Sequence, residues 1–304
     1  MITVVGSYAV GMTMFTGRFP LSGETLIGKG YRAEFGGKGS NQAVAMARLG
    51  IEPYFVACVG EDHFGREALE MYRAEGVNAA GVRFCSGVST GVGFIIVDRG
   101  GNNIITLDMG ANECLSLEDV NAAGEVLDRS SSLVMQLEIS PQIVLYSAKL
   151  ARIKRIPVIL NPAPYQELPE EIWSLVDIVV PNETEARLIV GRKPDDPIPV
   201  ERLAEEILGL GVKTAVITLG EKGAYLATWD GERMLVPAFS VTAIDTTGAG
   251  DTFTAALAVA LSENRALPEA VRFANAAAAI TCTGRGVVPA LPYRKQVEAL
   301  LKRD

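Results

Sequence analysis

The chain predicts an α/β protein with a mostly parallel central sheet and helices on both faces. Three observations carry this reading. Short β-branched runs alternate with helical patterns over most of the 304 residues. Glycines fall where such helices should end. From Gly250 onward the pattern is helical alone. In order, Ile2–Val5, Pro53–Cys58, Ser132–Gln136, Pro157–Leu160, Ile178–Val180 and Thr214–Thr218 read as buried strands. Gly39–Leu49, Phe64–Ala74, Leu117–Asp128, Pro141–Arg152, Glu183–Val190 and Val200–Leu208 read as the helices between them, with Gly50 and Gly76 at C-cap positions. Asp251–Ser262, Pro268–Thr283 and Tyr293–Lys302 close the chain, the first two apolar nearly all round and therefore buried. Ligands of such sheets bind beyond the carboxyl ends of the strands.

Two stretches, approximately residues 8–33 and 82–107, break the alternation. They are strand-rich, and the second suggests a hairpin turning at Arg99-Gly100-Gly101-Asn102. As insertions in a single domain spanning 1–304, they predict a small sheet that closes over a ligand and excludes water. The plainer alternative is a pair of edge hairpins.

Composition narrows the function. Hydrophobic residues make up 48%, enough for a sizeable core, and the net charge of −8 argues against nucleic acid as the main partner. The four cysteines form no CxxC pair, which suits a reducing compartment. The N-terminus reads as a strand and no apolar run reaches transmembrane length, so a cytoplasmic protein without membrane contact is expected. The single histidine, His63, lies in a turn-like stretch, which leaves acid–base work to carboxylates and lysines.

The most telling segment is Ala243–Phe253, A-I-D-T-T-G-A-G-D-T-F. Glycines ahead of a helix let backbone N–H groups face an anion, and Asp251 beside them can take a proton from an attacking hydroxyl. This reads as phosphoryl transfer to an alcohol; the alternative is an Asp that merely complements the helix dipole. A second glycine-rich site, Phe35-Gly36-Gly37-Lys38-Gly39-Ser40-Asn41, is no Walker loop. Lys38 and Asn41 share a helical face and suit sugar hydroxyls, or else are a surface lysine and a capping asparagine.

Together these stretches resemble the ribokinase-like carbohydrate kinases, the PfkB family. F-G-G-K-G-S-N-Q-A-V-A-M-A-R-L-G looks like the family's first signature, D-T-T-G-A-G-D-T-F its second, and V-P-N-E-T-E-A its N-x-x-E motif. S-T-G-V-G, M-Q-L-E, L-N-P-A-P, V-I-T-L-G-E-K-G and R-F-A-N-A-A-A-A extend the likeness over essentially the whole chain.

The resemblance implies ATP-dependent phosphorylation of a sugar primary hydroxyl, with ribose or a related pentose first. A nucleoside, sugar acid or modified polyol is the alternative acceptor, and a non-catalytic regulator the remote one. It implies that Asp251 is the base and that Gly248, Ala249 and Gly250 form the anion hole. Gly37, Lys38, Asn41 and Glu138 would hold the sugar. Asn182, Thr218, Gly220, Gly223, Gly250 and Asn275 would line the ATP site. Asn182 and Glu185 would position Mg²⁺ through water. Asp245, Thr247, Thr281, Gly284 and Gly286 would hold K⁺, with Ala290 at a position where a serine ligand is expected. A homodimer through the lids follows from the same likeness, with Met12, Met14 and Phe15 supplying apolar surface.

The residues leave plainer roles open. Glu138 suits helix capping, Asn182 and Glu185 a capping box, and Leu219–Gly223 a simple hairpin turn.

One departure stands out. Where the family's first strand reads G-S-x-N-x-D, this chain reads Gly6-Ser7-Tyr8-Ala9-Val10-Gly11. Two hydroxyl contacts are absent, at about 0.5–1.5 kcal/mol each, so ribose is expected to bind weakly. Tyr8, Met12 or Met14 would provide an apolar wall for a less hydroxylated substrate.

Overall fold

The computed structural model describes residues 1–303. Its strands, in chain order, are β1 (Ile2–Val5), β2 (Ala9–Phe15), β3 (Tyr31–Gly36), β4 (Pro53–Gly60), β5 (Asn78–Cys85), β6 (Gly91–Val97) and β7 (Asn103–Asp108), followed by β8 (Leu133–Met135), β9 (Val158–Leu160), β10 (Ile178–Val179), β11 (Thr214–Thr218), β12 (Ala224–Thr228) and β13 (Arg233–Val236). Nine of them form one sheet in the order β13-β12-β11-β10-β9-β8-β1-β4-β5. Pairing is parallel from β11 to β5 and antiparallel at the β11–β12–β13 edge.

Side-chain alternation on the strands divides the interior in two. Val4, Val134 and Ile159 join one apolar cluster, while their neighbours Val5, Leu133, Met135, Val158 and Leu160 join the other. Such strands, buried on both faces, explain the unbroken β-branched runs. The first cluster receives the helices Lys38–Arg48, Ala249–Ser262 and Leu267–Thr281. Alanines line the contact between the last two, including Ala255, Ala256, Ala274 and Ala277, all fully buried. Each buried Leu, Val or Phe around them stabilises the fold by about 1.5–3 kcal/mol.

The second sheet has the order β3-β2-β6-β7. It matches the small second sheet expected from these segments, with a hairpin between β6 and β7 where the Asp98 N–H donates to the Asn102 carbonyl at 3.0 Å. The expected lid boundary needs correction. Val82–Cys85 belong to β5, which pairs with β4 at the edge of the large sheet, and the lid strands begin only at Gly91. The helix expected over Leu117–Asp128 is two short ones, Leu117–Ala122 and Gly124–Leu127, because Gly124 weakens the middle. Strands β12 and β13 had no counterpart in the sequence reading.

The proposed wall of Tyr8, Met12 and Met14 is also overturned. Tyr8 is fully buried, its ring edge-on to Tyr72 and its hydroxyl donating to the Phe64 carbonyl at 3.4 Å. Met12 and Met14 alternate with Gly11 on β2, so they point to the opposite face of the lid. His63 is exposed, at the start of a helix.

Candidate active site

The strand order reverses at β1, between β8 and β4, and the polar residues gather at the carboxyl ends on either side of that point. Gly37 has φ +86°, and a Cβ there would lie 2.6 Å from Tyr8 Cα and 2.8 Å from the Ala9 nitrogen. Only a glycine lets the loop cross the end of β1 so closely. The crossing is fixed by the Ser40 N–H, which donates to the Ser7 carbonyl at 2.9 Å. Ser7 Oγ donates to Glu138 Oε2 at 2.6 Å, and the same oxygen accepts the Lys38 N–H at 2.8 Å. Glu138 thus caps the helix Lys38–Arg48 and complements its dipole.

Asp251 lies three residues past Gly248, on the first turn of the helix Ala249–Ser262, and is 4% exposed. Asn41 Nδ2 donates to its Oδ2 at 2.8 Å and Gln42 Nε2 to its Oδ1 at 3.2 Å. Gln42 is itself held: its Oε1 accepts from Gln136 Nε2 at 2.6 Å, and its Nε2 also reaches Asn161 Oδ1 at 3.2 Å. Asn161 Nδ2 donates to the Val180 carbonyl at 2.9 Å. A buried amide network therefore aims the carboxylate and fixes its orientation. Gly248 adopts φ +81°, the left-handed region, and a Cβ there would meet Val287 Cγ1 at 2.6 Å. The Ala249 N–H donates to the Thr246 carbonyl at 3.2 Å. Among the described residues nothing engages the N–H groups of Gly248 and Gly250. Two of the three expected donors are therefore open.

The charges are mutually felt. The field of Asp251, with Glu138 and Glu185 behind it, raises the Lys38 ammonium above its ordinary value despite burial. Burial pushes Glu185 upward, although the Asn182 N–H and Lys38 pull the other way. Asn182 and Glu185 form a capping box, with Glu185 N donating to Asn182 Oδ1 and Asn182 N to Glu185 Oε2, both at 2.8 Å. The plainer role foreseen for this pair is thus realised, and Glu185 Oε1 stays free.

On the far side of Gly250 a cleft of about 840 Å³ opens. Thr218, Gly220, Gly223, Gly250 and Asn275 all line it, beside Phe239, Phe253 and Ala279. Asn182 is not in the lining but bridges to Thr218. Asn275 Nδ2 donates to the carbonyls of Val236 and Pro237 at 3.0 and 3.1 Å, fixing one wall. The segment Leu219–Gly223 is a hairpin turn and lines the cleft as well.

The expected cation residues also come together. Asp245 Oδ1 accepts from Thr247 N at 2.9 Å and Thr247 Oγ1 at 2.7 Å, while Oδ2 accepts from the Gly286 N–H at 3.2 Å. Burial opposes these bonds, but they prevail and lower the Asp245 carboxyl below its ordinary value. The Gly284 N–H donates to the Thr281 carbonyl at 3.1 Å, and the Thr281 hydroxyl is bonded to Thr252 Oγ1 at 2.9 Å. A Cβ on Gly284 would meet Ala290 Cβ at 2.5 Å, so Ala290 closes this loop.

Ser7, Gln42, Gln136 and Asn161 were missed as site residues. Their signal was available: Ser7, Gln136 and Asn161 stand within two residues of the carboxyl ends of β1, β8 and β9, and Gln42 adjoins Asn41.

A sequence profile described as the pfkB family carbohydrate kinase matches residues 1–294. The chain belongs to the PfkB family. This PfkB kinase is 38% identical to a ribokinase from Haemophilus influenzae over 99% of its length and 98% of the relative's. A deoxyribokinase from Salmonella typhi is 35% identical, with 99% and 98% covered. A structure of Arabidopsis thaliana ribokinase complexed with ribose and ATP superposes with a TM-score of 0.92 at 33% identity, covering 99% of this chain and 98% of that one. The fold is ribokinase-like and the protein is an ATP-dependent sugar kinase. Among the described residues, no helix is long and apolar enough to cross a membrane.

Proposed function

We propose that this kinase transfers the γ-phosphoryl group of ATP to the primary hydroxyl of ribose or a related pentose, with Asp251 as general base. One observation carries the reading. Asp251 stands where the polar cluster of Lys38, Asn41 and Glu138 meets the large cleft, directly after a glycine turn with open N–H groups. ATP would lie in the cleft against Thr218, Gly220, Gly223 and Asn275, its γ-phosphoryl against the N–H groups of Gly248 and Gly250. Ala249 then shapes the turn more than it donates. Lys38, Asn41 and Glu138 would hold the sugar, Gly37 allowing its approach. Asp251 accepts the hydroxyl proton as the oxygen attacks phosphorus, and the N–H groups stabilise the charge on the transferring group.

No three His, Cys, Asp or Glu side chains gather to hold a metal among the described residues. This fits a magnesium ion that arrives with the nucleotide. Glu185, with Oε1 free, and Asn182 would hold it through water, and it would neutralise phosphate charge. Asp245, Thr247, Thr281, Gly284 and Gly286 would bind K⁺, mostly through carbonyls, stiffening the turn that presents Gly248. The four-stranded sheet of β2, β3, β6 and β7 would act as a lid. Its outer row, Tyr31–Met14–Ile96–Ile104 in register, leaves Tyr31, Met14 and Ile104 exposed and suits a second copy, giving a homodimer. A cytoplasmic location accords with four free cysteines.

A second reading, a deoxypentose as acceptor, is favoured by the bare Ala9 and Gly11 and by the deoxyribokinase relative. ADP release measured over pentoses, deoxypentoses, hexoses, polyols and nucleosides separates the readings. Ribose or a close pentose should head the panel; turnover of a nucleoside alone, or of nothing, would refute the proposal.

A further inference from the structure

On the inner face of the lid, the first rungs of β2, β3 and β6 are almost without side chains, and the exception is a carboxylate; the next rung carries Thr13, Arg32 and Ile95, and Leu107 on β7 stands opposite Gly93. In register across β3, β2 and β6, one rung reads Gly36, Ala9, Gly91 and the next reads Glu34, Gly11, Gly93. Residues paired in register point to the same face. Within these two rungs, Glu34 is therefore the only group able to form a side-chain hydrogen bond. It is half-buried. No hydrogen bond or ion pair engages its carboxylate among the described residues, an arrangement that is costly for a charged group unless something else meets it.

Its direction is fixed by the loop beneath. A Cβ built on Gly286 would lie 2.7 Å from Glu34 Oε1, and Gly286 is tied through Asp245 to the turn at Gly248. The carboxylate thus points from the lid toward the loop of Asp245 and Gly286, which adjoins the turn at Gly248. A side chain could be added beside it without a clash: a Cβ on Gly11 would make only ordinary contacts, with the Glu34 carbonyl oxygen and Ile95 Cδ1, both at 3.8 Å.

Resting on the function proposed above, we infer that Glu34 is the lid's specificity residue, accepting hydrogen bonds from two adjacent secondary hydroxyls of the sugar. It supplies from β3 the acceptor that the directly opposite Gly11 cannot. A carboxylate has two oxygens with which to take a vicinal diol, so the lid would read ribose over 2-deoxyribose. A site built around a hydroxyl discriminates strongly against the analogue that lacks it.

The test compares wild type, Glu34→Ala and the double variant Gly11→Asp/Glu34→Ala, with ADP release measured on ribose and 2-deoxyribose. Glu34→Ala should raise the ribose KM about 10- to 100-fold, the range for a bond to a charged group. The ATP KM should stay within about threefold, and the ribose preference over 2-deoxyribose should collapse toward unity. Gly11→Asp returns a carboxylate to the same rung, at a residue where a Cβ makes only ordinary contacts and φ is not positive, and should restore most of the loss. An unchanged ribose KM in folded Glu34→Ala, or equal rises in both KM values without rescue, overturns the inference while leaving the sugar-kinase reading intact. Wild type that turns over neither sugar would instead refute the proposed function, and this inference with it.

Discussion

Adding one methyl group at Gly250 should separate stability from catalysis. Gly250 sits in the first turn of the helix Ala249–Ser262. A Cβ built there meets nothing within 4 Å, and its φ is not positive. Gly250→Ala should therefore fold unhindered, and the gain in helix propensity should raise stability by about 0.5–1 kcal/mol. The methyl would, however, project into the cleft where the proposed γ-phosphoryl group must approach backbone donors to about 2.7–3.1 Å. A displacement of about 1 Å costs on the order of 10²-fold in rate, so kcat/KM should fall by at least that much. Gly248→Ala is the contrast, because φ +81° and the Val287 contact should cost about 1–2 kcal/mol in stability. Urea unfolding and coupled ADP release on the same preparations provide both readings. A Gly250→Ala enzyme with undiminished kcat/KM would refute the assignment of this turn as the anion hole.

Three further outcomes follow. Glu185→Gln keeps an oxygen for the capping box but removes a carboxyl whose folded value is raised, mainly by burial. A raised carboxyl favours folding only below its ordinary value near 4.5 and loses that contribution as pH rises through the raised one. The variant should therefore gain stability relative to wild type across that window, while kcat/KM at limiting Mg²⁺ falls about 10-fold; unchanged activity there removes Glu185 from magnesium positioning. Potassium should raise kcat over sodium or cation-free buffer, and equal rates in all three would eliminate the proposed K⁺ site. Light scattering should give a dimer, and Met14→Glu with Ile104→Glu a monomer; a wild-type monomer at micromolar concentration would contradict the lid interface.

Much of this architecture was legible because the relevant signals are local. The strand Thr214–Thr218 and the hairpin turn Arg99–Asn102 emerge where alternation and turn chemistry required them. The converging loops were readable from glycines alone, since a positive φ at Gly37 and Gly248 leaves a compositional trace. What stayed hidden depends on long-range pairing. Strand β5 looked like lid because only its partner β4 assigns it to the large sheet. The link from Gln42 to Gln136 joins residues 94 apart in sequence, and no spacing rule reveals it. Glu34 escaped notice because its meaning lies in the register that sets it opposite Gly11. Tyr8 was misassigned for a similar reason: it immediately precedes Ala9, which opens the lid strand β2, whereas its ring packs on Tyr72.

The general base is the centre of the account, and Asp251→Asn tests it most directly. The substitution keeps the volume of a side chain that is 4% exposed and held by Asn41 and Gln42, but it cannot accept the proton. Turnover of ribose and binding of ATP should be measured on the same protein. The kcat should fall by about 10²–10⁴-fold with the ATP dissociation constant nearly unchanged. An Asp251→Asn enzyme that turns over at a near wild-type rate would contradict it.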